Sequence, residues 1–261
     1  MRITRGHYNR KLLTFGIMLF LGIALISTGF AAWIMSSGAE TGYDDGNLTV
    51  GVITESDLEF TDIELLDGYS SAISFEPAKD DTKGDIKWDG TNSENLSFKI
   101  TTTVSPAEYL SEVQINMTYA QQFAKALNDA HKNGYLVLPA AAVLDEGVEA
   151  LTILSFDENG NVKTTNHTGI NVVADEITND EGKVLAIKLT IEIIISWGGK
   201  FNGQNPSLYL DASNLSADEK KAELYAFKRA VYGLDINMPD AEVAAYAAPI
   251  QYNITLIATV N

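Results

Sequence analysis

Val184–Trp197, VLAIKLTIEIIISW, is the stretch that decides the fold. Leu185, Ile187, Leu189, Ile191, Ile193, Ile195 and Trp197 take alternate positions, while Lys188, Thr190, Glu192 and Ser196 lie on the other side. Successive side chains of a strand point to opposite faces, so this spacing predicts a long central strand with one apolar face. The chain closes on the same pattern: Tyr252, Ile254, Leu256, Ala258 and Val260 face in, and Gln251, Asn253, Thr255 and Thr259 face out.

Working outward, Leu48, Val50 and Val52, then Leu58 and Phe60, then Leu96, Phe98 and Ile100, then Val113, Ile115 and Met117 repeat the period of two. Turn signals separate the runs at Asn159-Gly160, read as a type I′ hairpin, and at Glu181-Gly182 and Gly198-Gly199. Two helices interrupt the strands. One is expected at about 119–133, with Thr118 and Gln121 in the capping positions and Gly134 as its stop. The other is expected at 217–232, where Ser216 and Glu219 make a capping box, Leu224, Phe227 and Val231 an apolar stripe, and Gly233 the end. The fold class is therefore mainly β: a jelly-roll-like antiparallel β-sandwich with two inserted helices. Without a linker or internal repeat, residues 47–261 read as one sandwich domain, preceded by an extended segment at 33–46.

The first 35 residues are of another kind. Arg2, Arg5, Arg10 and Lys11 precede an apolar run from Leu12 to Met35, the layout of a secretory signal. The run is long enough to span a bilayer as an uncleaved anchor. Cleavage is favoured, because small residues Ala31 and Ala32 end the run and no Lys or Arg follows it to stop transfer. Residues 1–32 are thus read as a signal peptide, and the expected destination is secreted, extracellular or cell-surface, with membrane contact only through an uncleaved signal.

The whole chain of 261 residues carries a net charge of −17. All 35 acidic residues follow position 39 while four of the 18 basic ones lie in the head, so the exported part carries about −21. That sign excludes nucleic acid as a partner and keeps a surface solvated. Calcium bridging between carboxylates is the one cofactor the charge invites. No motif supports it: Asp157, Asn159 and Asn161 alternate as in a calcium loop, but Val162 stands where the glycine belongs and Thr168 where the terminal glutamate belongs. With no cysteine, stability rests on the apolar core rather than on disulfides.

Chemistry is scarce. Outside the head only His131 and His167 remain, neither in an H-E-x-x-H helix, and there is no Gly-x-Ser-x-Gly elbow or phosphate loop. No catalytic, cofactor-binding or metal-ligating residue is assigned, and an enzyme is not expected. A ligand-contacting loop is the alternative reading of the segment after the long strand, where Trp197, Phe201 and Tyr209 could stack on sugars while Asn202, Gln204 and Asn205 hydrogen-bond them.

The junction is the remaining signal. Gly29-Phe30-Ala31-Ala32-Trp33, a spacer, then Tyr43, Asp44, Asp45, Gly46, Asn47, Leu48, Thr49 and Val50 resemble the TasA/camelysin (CalY) family of Gram-positive surface proteins, clearly over roughly residues 10–53. The resemblance implies cutting between Ala32 and Trp33 by an ER-type (SipW-like) signal peptidase, a jelly-roll sandwich, and self-association into an extracellular fibre, biofilm matrix or surface layer. The mature N-terminus would serve as donor strand to a neighbouring subunit, with Trp33, Ile34, Met35, Tyr43, Leu48 and Val50 as the assembly segment. A cell-surface binding module using Trp197–Tyr209 is the alternative. A secreted metalloprotease, a role attached to the camelysin branch, comes third.

Overall fold

A computed structural model describes residues 40–44, 48–55, 57–66, 75–77, 86–88, 95–142, 150–246, 248 and 250–260. The signal at 1–32, the Ala32-Trp33 junction, Ile34 and Met35 lie outside the described residues. The compact unit described here begins at Glu40, so the sandwich starts earlier than the boundary at 47 that periodicity suggests.

In chain order the strands are β1 (Glu40–Asp44), β2 (Leu48–Thr54), β3 (Glu59–Leu65), β4 (Phe75–Pro77), β5 (Ile86–Trp88), β6 (Asn95–Ser105), β7 (Leu110–Tyr119), β8 (Leu136–Val137), β9 (Leu151–Phe156), β10 (Val162–Thr164), β11 (Ile170–Thr178), β12 (Val184–Trp197) and β13 (Tyr252–Val260). The helices are α1 (Gln121–Lys132), α2 (Pro206–Asp211), α3 (Ala217–Tyr232) and α4 (Asp240–Ala245). One sheet runs β1-β2-β13-β7-β9-β10 and the other β11-β12-β6-β3, with β8 joining the end of β12; β4 and β5 pair as a separate ribbon. The architecture is a mainly-β sandwich with helices, as expected.

Each sheet is organised by one long strand. β12 pairs with β11 and β6 over most of its length, and its inward side chains Ile187, Leu189, Ile191, Ile193, Ile195 and Trp197 are buried. β13 buries Tyr252, Ile254, Leu256 and Ala258 and lies between β7 and β2. Full burial of an aliphatic side chain of this size stabilises by about 1.5–3 kcal/mol. Its pairing with β2 is parallel, Leu48 opposite Tyr252 and Thr54 opposite Ala258, whereas the other ladders are antiparallel. Periodicity carries no information on direction. Here a parallel pair is open to β2 and β13 because nearly the whole domain lies between them as the crossover.

One residue of the decisive stretch departs from its expected face. Leu185 is exposed and Ala186 buried, because the β11–β12 register shifts beside Ile177 and puts the alternation out of step.

The Asn159-Gly160 turn is a hairpin, but not type I′. That turn needs positive φ at both central residues, and Asn159 keeps negative φ while Gly160 takes +80°. The Gly160 N–H donates to the Asp157 carbonyl at 2.9 Å, which makes a type I turn followed by a left-handed glycine. Asp157 Oδ1 accepts the N–H groups of Asn159 and Asn161 at 2.8 and 2.9 Å, and its Oδ2 accepts from Asn161 Nδ2. The β11–β12 turn is built alike: Asn179 Oδ1 accepts from the Glu181 and Lys183 N–H groups, and Gly182 has φ +81°.

α1 starts later than expected. Thr118 and Tyr119 still belong to β7, and the cap is Ala120, which offers no side-chain hydrogen bond. α3 follows its signals: the Ser216–Glu219 capping box is formed and Gly233 ends the helix with φ +65°. Its Leu224, Phe227 and Val231 are buried. Lys228, in the last turn, is also buried, with Nζ donating to the Ala244 carbonyl at 2.9 Å and so tying α3 to the end of α4. α2 and α4 were not expected. The signal for α2 is Asn205-Pro206, an N-cap followed by proline at the first helical position.

At the end of β12 the backbones of Gly198 and Gly134 meet. A Cβ on Gly198 would stand 2.0 Å from the Gly134 carbonyl oxygen, whereas one on Gly199 would meet nothing within 4 Å. Gly198→Ala should therefore cost about 1–3 kcal/mol through a forced backbone shift. Gly199→Ala should lie within about 0.5 kcal/mol of the parent. Urea unfolding measures both, and equal stabilities would contradict the packing at this corner.

Acid sensitivity is a second outcome. Hydrogen bonds from the Asn161 side chain and backbone hold Asp157 below its ordinary value of 3.8; the Lys183 ammonium lowers Glu108, and the Ser216 backbone and hydroxyl lower Glu219, both from 4.5. A carboxylate with a lowered folded pKa stabilises above its unfolded value and loses that contribution as pH falls through the folded one. The melting temperature should thus fall as pH drops below about 4.5. Asp157→Ala should be less stable at neutral pH and lose less on acidification; an unchanged slope would remove Asp157 from that account.

Candidate functional site

The segment after β12 does not present the stacking surface expected of it. Trp197 and Phe201 are 2 % and 1 % exposed. They pack with Phe227 of α3 at centroid distances of 5.7 Å each, and Tyr135 joins them at 6.0 Å from Phe201 and 5.9 Å from Phe227. Asn205 is 1 % exposed, and its Oδ1 accepts the Ser207 N–H at 2.9 Å and the Ser207 hydroxyl at 3.0 Å as the cap of α2. Asn202 ends a 3₁₀ turn, Gly199–Phe201, with φ +53°, and Gln204 donates its N–H to the Phe201 carbonyl. Of the aromatic trio only Tyr209 reaches the surface, 36 % exposed and edge-on to Phe201 at 6.0 Å. These aromatics are core: β12 delivers Trp197 inward, and α3 covers it.

Beside this cluster is an open cleft of about 530 Å³, lined among others by Tyr135, Lys200, Arg229, Leu234 and Ile236. Its cations are already engaged. Lys200 Nζ donates to the Tyr135 hydroxyl at 2.7 Å and lies 3.6 Å from Glu223; burial works to lower its pKa, but these partners outweigh burial and the net shift is upward. Arg229 donates to the Met238 carbonyl at 2.9 Å and to Asp240 at 2.8 Å. The cleft is the seam where α3 is tied to the β12 corner and to α4.

Neither histidine is near a candidate ligand set. His131 Nδ1 accepts the Leu138 N–H at 3.2 Å, and His167 Nε2 lies 2.8 Å from the Thr152 carbonyl. The oxygens of Asp157 are spent on its own turn. Among the described residues no group of three or more His, Asp or Glu side chains could hold a metal ion.

The assembly segment is divided by the fold. Glu40–Asp44 form β1, which pairs antiparallel with β2 in the same chain, Tyr43 opposite Val50 and Asp44 opposite Thr49. Leu48 and Val50 are fully buried in β2. They belong to the chain's own core, so they are not available to a neighbour. Among the described residues β1 is the outermost strand of its sheet. Ala32, Trp33, Ile34 and Met35 lie outside the described residues. Among the described residues no helix is long and apolar enough to cross a membrane.

Comparison of the chain with protein-family models, curated proteins and solved structures finds no match.

Burial makes Trp197 a stability residue. Trp197→Ala should cost about 3–5 kcal/mol. Tyr209→Ala should cost about 0.5–1.5 kcal/mol, the scale of one edge-on ring pair. Denaturant unfolding distinguishes the two; a Trp197→Ala protein as stable as the parent would return that ring to the surface.

Proposed function

We propose that the chain is an exported structural subunit of an extracellular fibre, matrix or surface layer, assembled by strand pairing through the segment that precedes β1. The observation that carries this reading is the placement of β1. The sandwich opens at Glu40 with an edge strand, and the stretch directly ahead of it in sequence holds Trp33, Ile34 and Met35, which a cut after Ala32 would expose. An extended segment pairs its backbone with an open sheet edge, and a head-to-tail contact of that kind propagates into filaments. Each apolar anchor contributes about 1.5–3 kcal/mol when fully buried. Left in water, the same three side chains invite nonspecific association. Among the described residues β1, β3 and β10 end their sheets on sides such a segment could meet.

The fold narrows the proposal. Because β1, Leu48 and Val50 are used within the chain, the donor segment is residues 33–39 rather than 33–46. A surface binding module loses ground with Trp197, Phe201 and Asn205 buried, and a metalloprotease with both histidines in structural hydrogen bonds.

Electron microscopy of the exported protein tests the reading. Mass spectrometry should first give Trp33 as the mature N-terminal residue. Filaments are expected from that protein, and deletion of residues 33–39 should abolish them while the melting temperature stays unchanged, since β1 is retained. A mature chain that remains monomeric with Trp33 in place would overturn the proposal.

A further inference from the structure

Six Asn-x-Ser/Thr triplets, with x other than proline, occur in the chain, at Asn47, Asn95, Asn116, Asn166, Asn214 and Asn253. In a protein exported by a cell that carries lipid-linked saccharides, this triplet can serve as the acceptor for N-linked glycans, and it works where the asparagine is exposed and the following segment can turn its hydroxyl toward the amide. The fold discriminates among them. Asn116 and Asn253 lie on the paired strands β7 and β13, Asn253 opposite Thr118 and Thr255 opposite Asn116, where extended backbone holds residues i and i+2 apart. The hydroxyl of the Asn214 triplet is Ser216, committed to the capping box of α3. The side chains of Asn47 and Asn95 lie outside the described residues.

Asn166 differs. It stands exposed in the turn between β10 and β11, with Thr168 exposed two residues on. Its Oδ1 accepts the Val172 N–H at 2.8 Å, and no acceptor among the described residues takes its Nδ2. The carbonyl end of the amide is thereby fixed, on a residue that is exposed.

We infer that Asn166 is an N-glycosylation site whose glycan guards the free edge of β11, an inference that rests on the chain being exported. In the reaction Asn166 Nδ2 forms a bond to the anomeric carbon of a lipid-diphosphate-linked saccharide; the carbon–oxygen bond to the diphosphate breaks, the lipid diphosphate leaves, and the amide nitrogen gives up one proton. The location has a structural consequence. Among the described residues β11 ends its sheet, and the Val172 N–H points away from β12 toward Asn166, so the alternate backbone groups of Ala174 and Glu176 face the same side. Val173 and Ile177 are exposed on this strand, as is Leu185 across the hairpin. An open edge flanked by apolar side chains is a template for unwanted pairing. A saccharide rooted at Asn166 covers it and leaves the other sheet edges to assembly.

The test is glycopeptide mass spectrometry on the full chain recovered from its own cells, with the N-terminal peptide read in the same run. The peptide containing residue 166 should be heavier by one glycan and yield saccharide fragment ions. Thr168→Ala should abolish the modification, Thr168→Ser should retain it, and Asn166→Asp should abolish it while keeping an acceptor for Val172 and an unchanged melting temperature. An exported chain beginning at Trp33 with residue 166 unmodified would overturn the site but leave export intact. A chain recovered from the cytoplasm with residues 1–32 attached would overturn export and this inference together. A glycan that survives Thr168→Ala would also exclude the triplet as its signal.

Discussion

The dry contact between the two sheets is the constraint from which the remaining structure follows. β12 and β13 are inner strands of their sheets, and each buries a row of apolar side chains in the shared core. A strand's faces alternate residue by residue, so slipping either one by a single position would send its whole apolar row to water. That penalty locks the register of β6 and β11 on β12, and of β2 and β7 on β13. It also explains how the chain holds together without a disulfide: the covalent staple that a small secreted domain needs is unnecessary where so many aliphatic side chains leave water together.

β13 has a further role, because it joins strands from opposite ends of the domain. β2 lies parallel to it on one side and β7 antiparallel on the other, so the first sheet is continuous only once the last residues have arrived. Contacts that close so long a loop are slow to form, which makes exposed strand edges a hazard while the chain waits. The molecule manages its edges with short strands at β1 and β10, with Asp175 and Glu176 on β11, and with the asparagine that caps Val172.

The helices pack at the strand ends, where Tyr252 meets Tyr119 at 6.3 Å and Trp197 meets the α3 ring of Phe227. Phe98 packs on Tyr252 at 5.3 Å, Trp197 on Phe227, Phe123 on Tyr232 at 6.2 Å, and Tyr232 on Tyr246 at 5.0 Å. This aromatic packing carries the core from the sheets into the helical layer. It consumes the side chains that would otherwise look like a ligand platform, and it leaves the Tyr119 hydroxyl buried, its pKa pushed up by desolvation.

The amino-acid sequence by itself determined β2, β3, β6, β7, β12 and β13 and the start and stop of α3, because period-two alternation and capping residues act over a few positions and need no partner; the short strands β4, β5 and β8–β10, and β11, carry no such clear alternation. It also determined the charged and apolar head, whose pattern is likewise local. Tertiary structure decided what depends on distant segments: the parallel direction of β13 on β2, the outward turn of Leu185 at a register shift, and the recruitment of Glu40–Asp44 into the sheet. Trp197, Phe201 and Asn205 illustrate the same division. Aromatic rings and amides near a glycine-rich loop have the composition of a binding surface, and only the arrival of α3 and the capping of α2 made them core. Asn166 is the converse case, since the triplet is visible in the sequence six times over, and the hydrogen bond to Val172 on an open strand edge singles out one of them. Burial and strand direction are properties of which segments meet, and a linear pattern fixes only which face each segment has to offer.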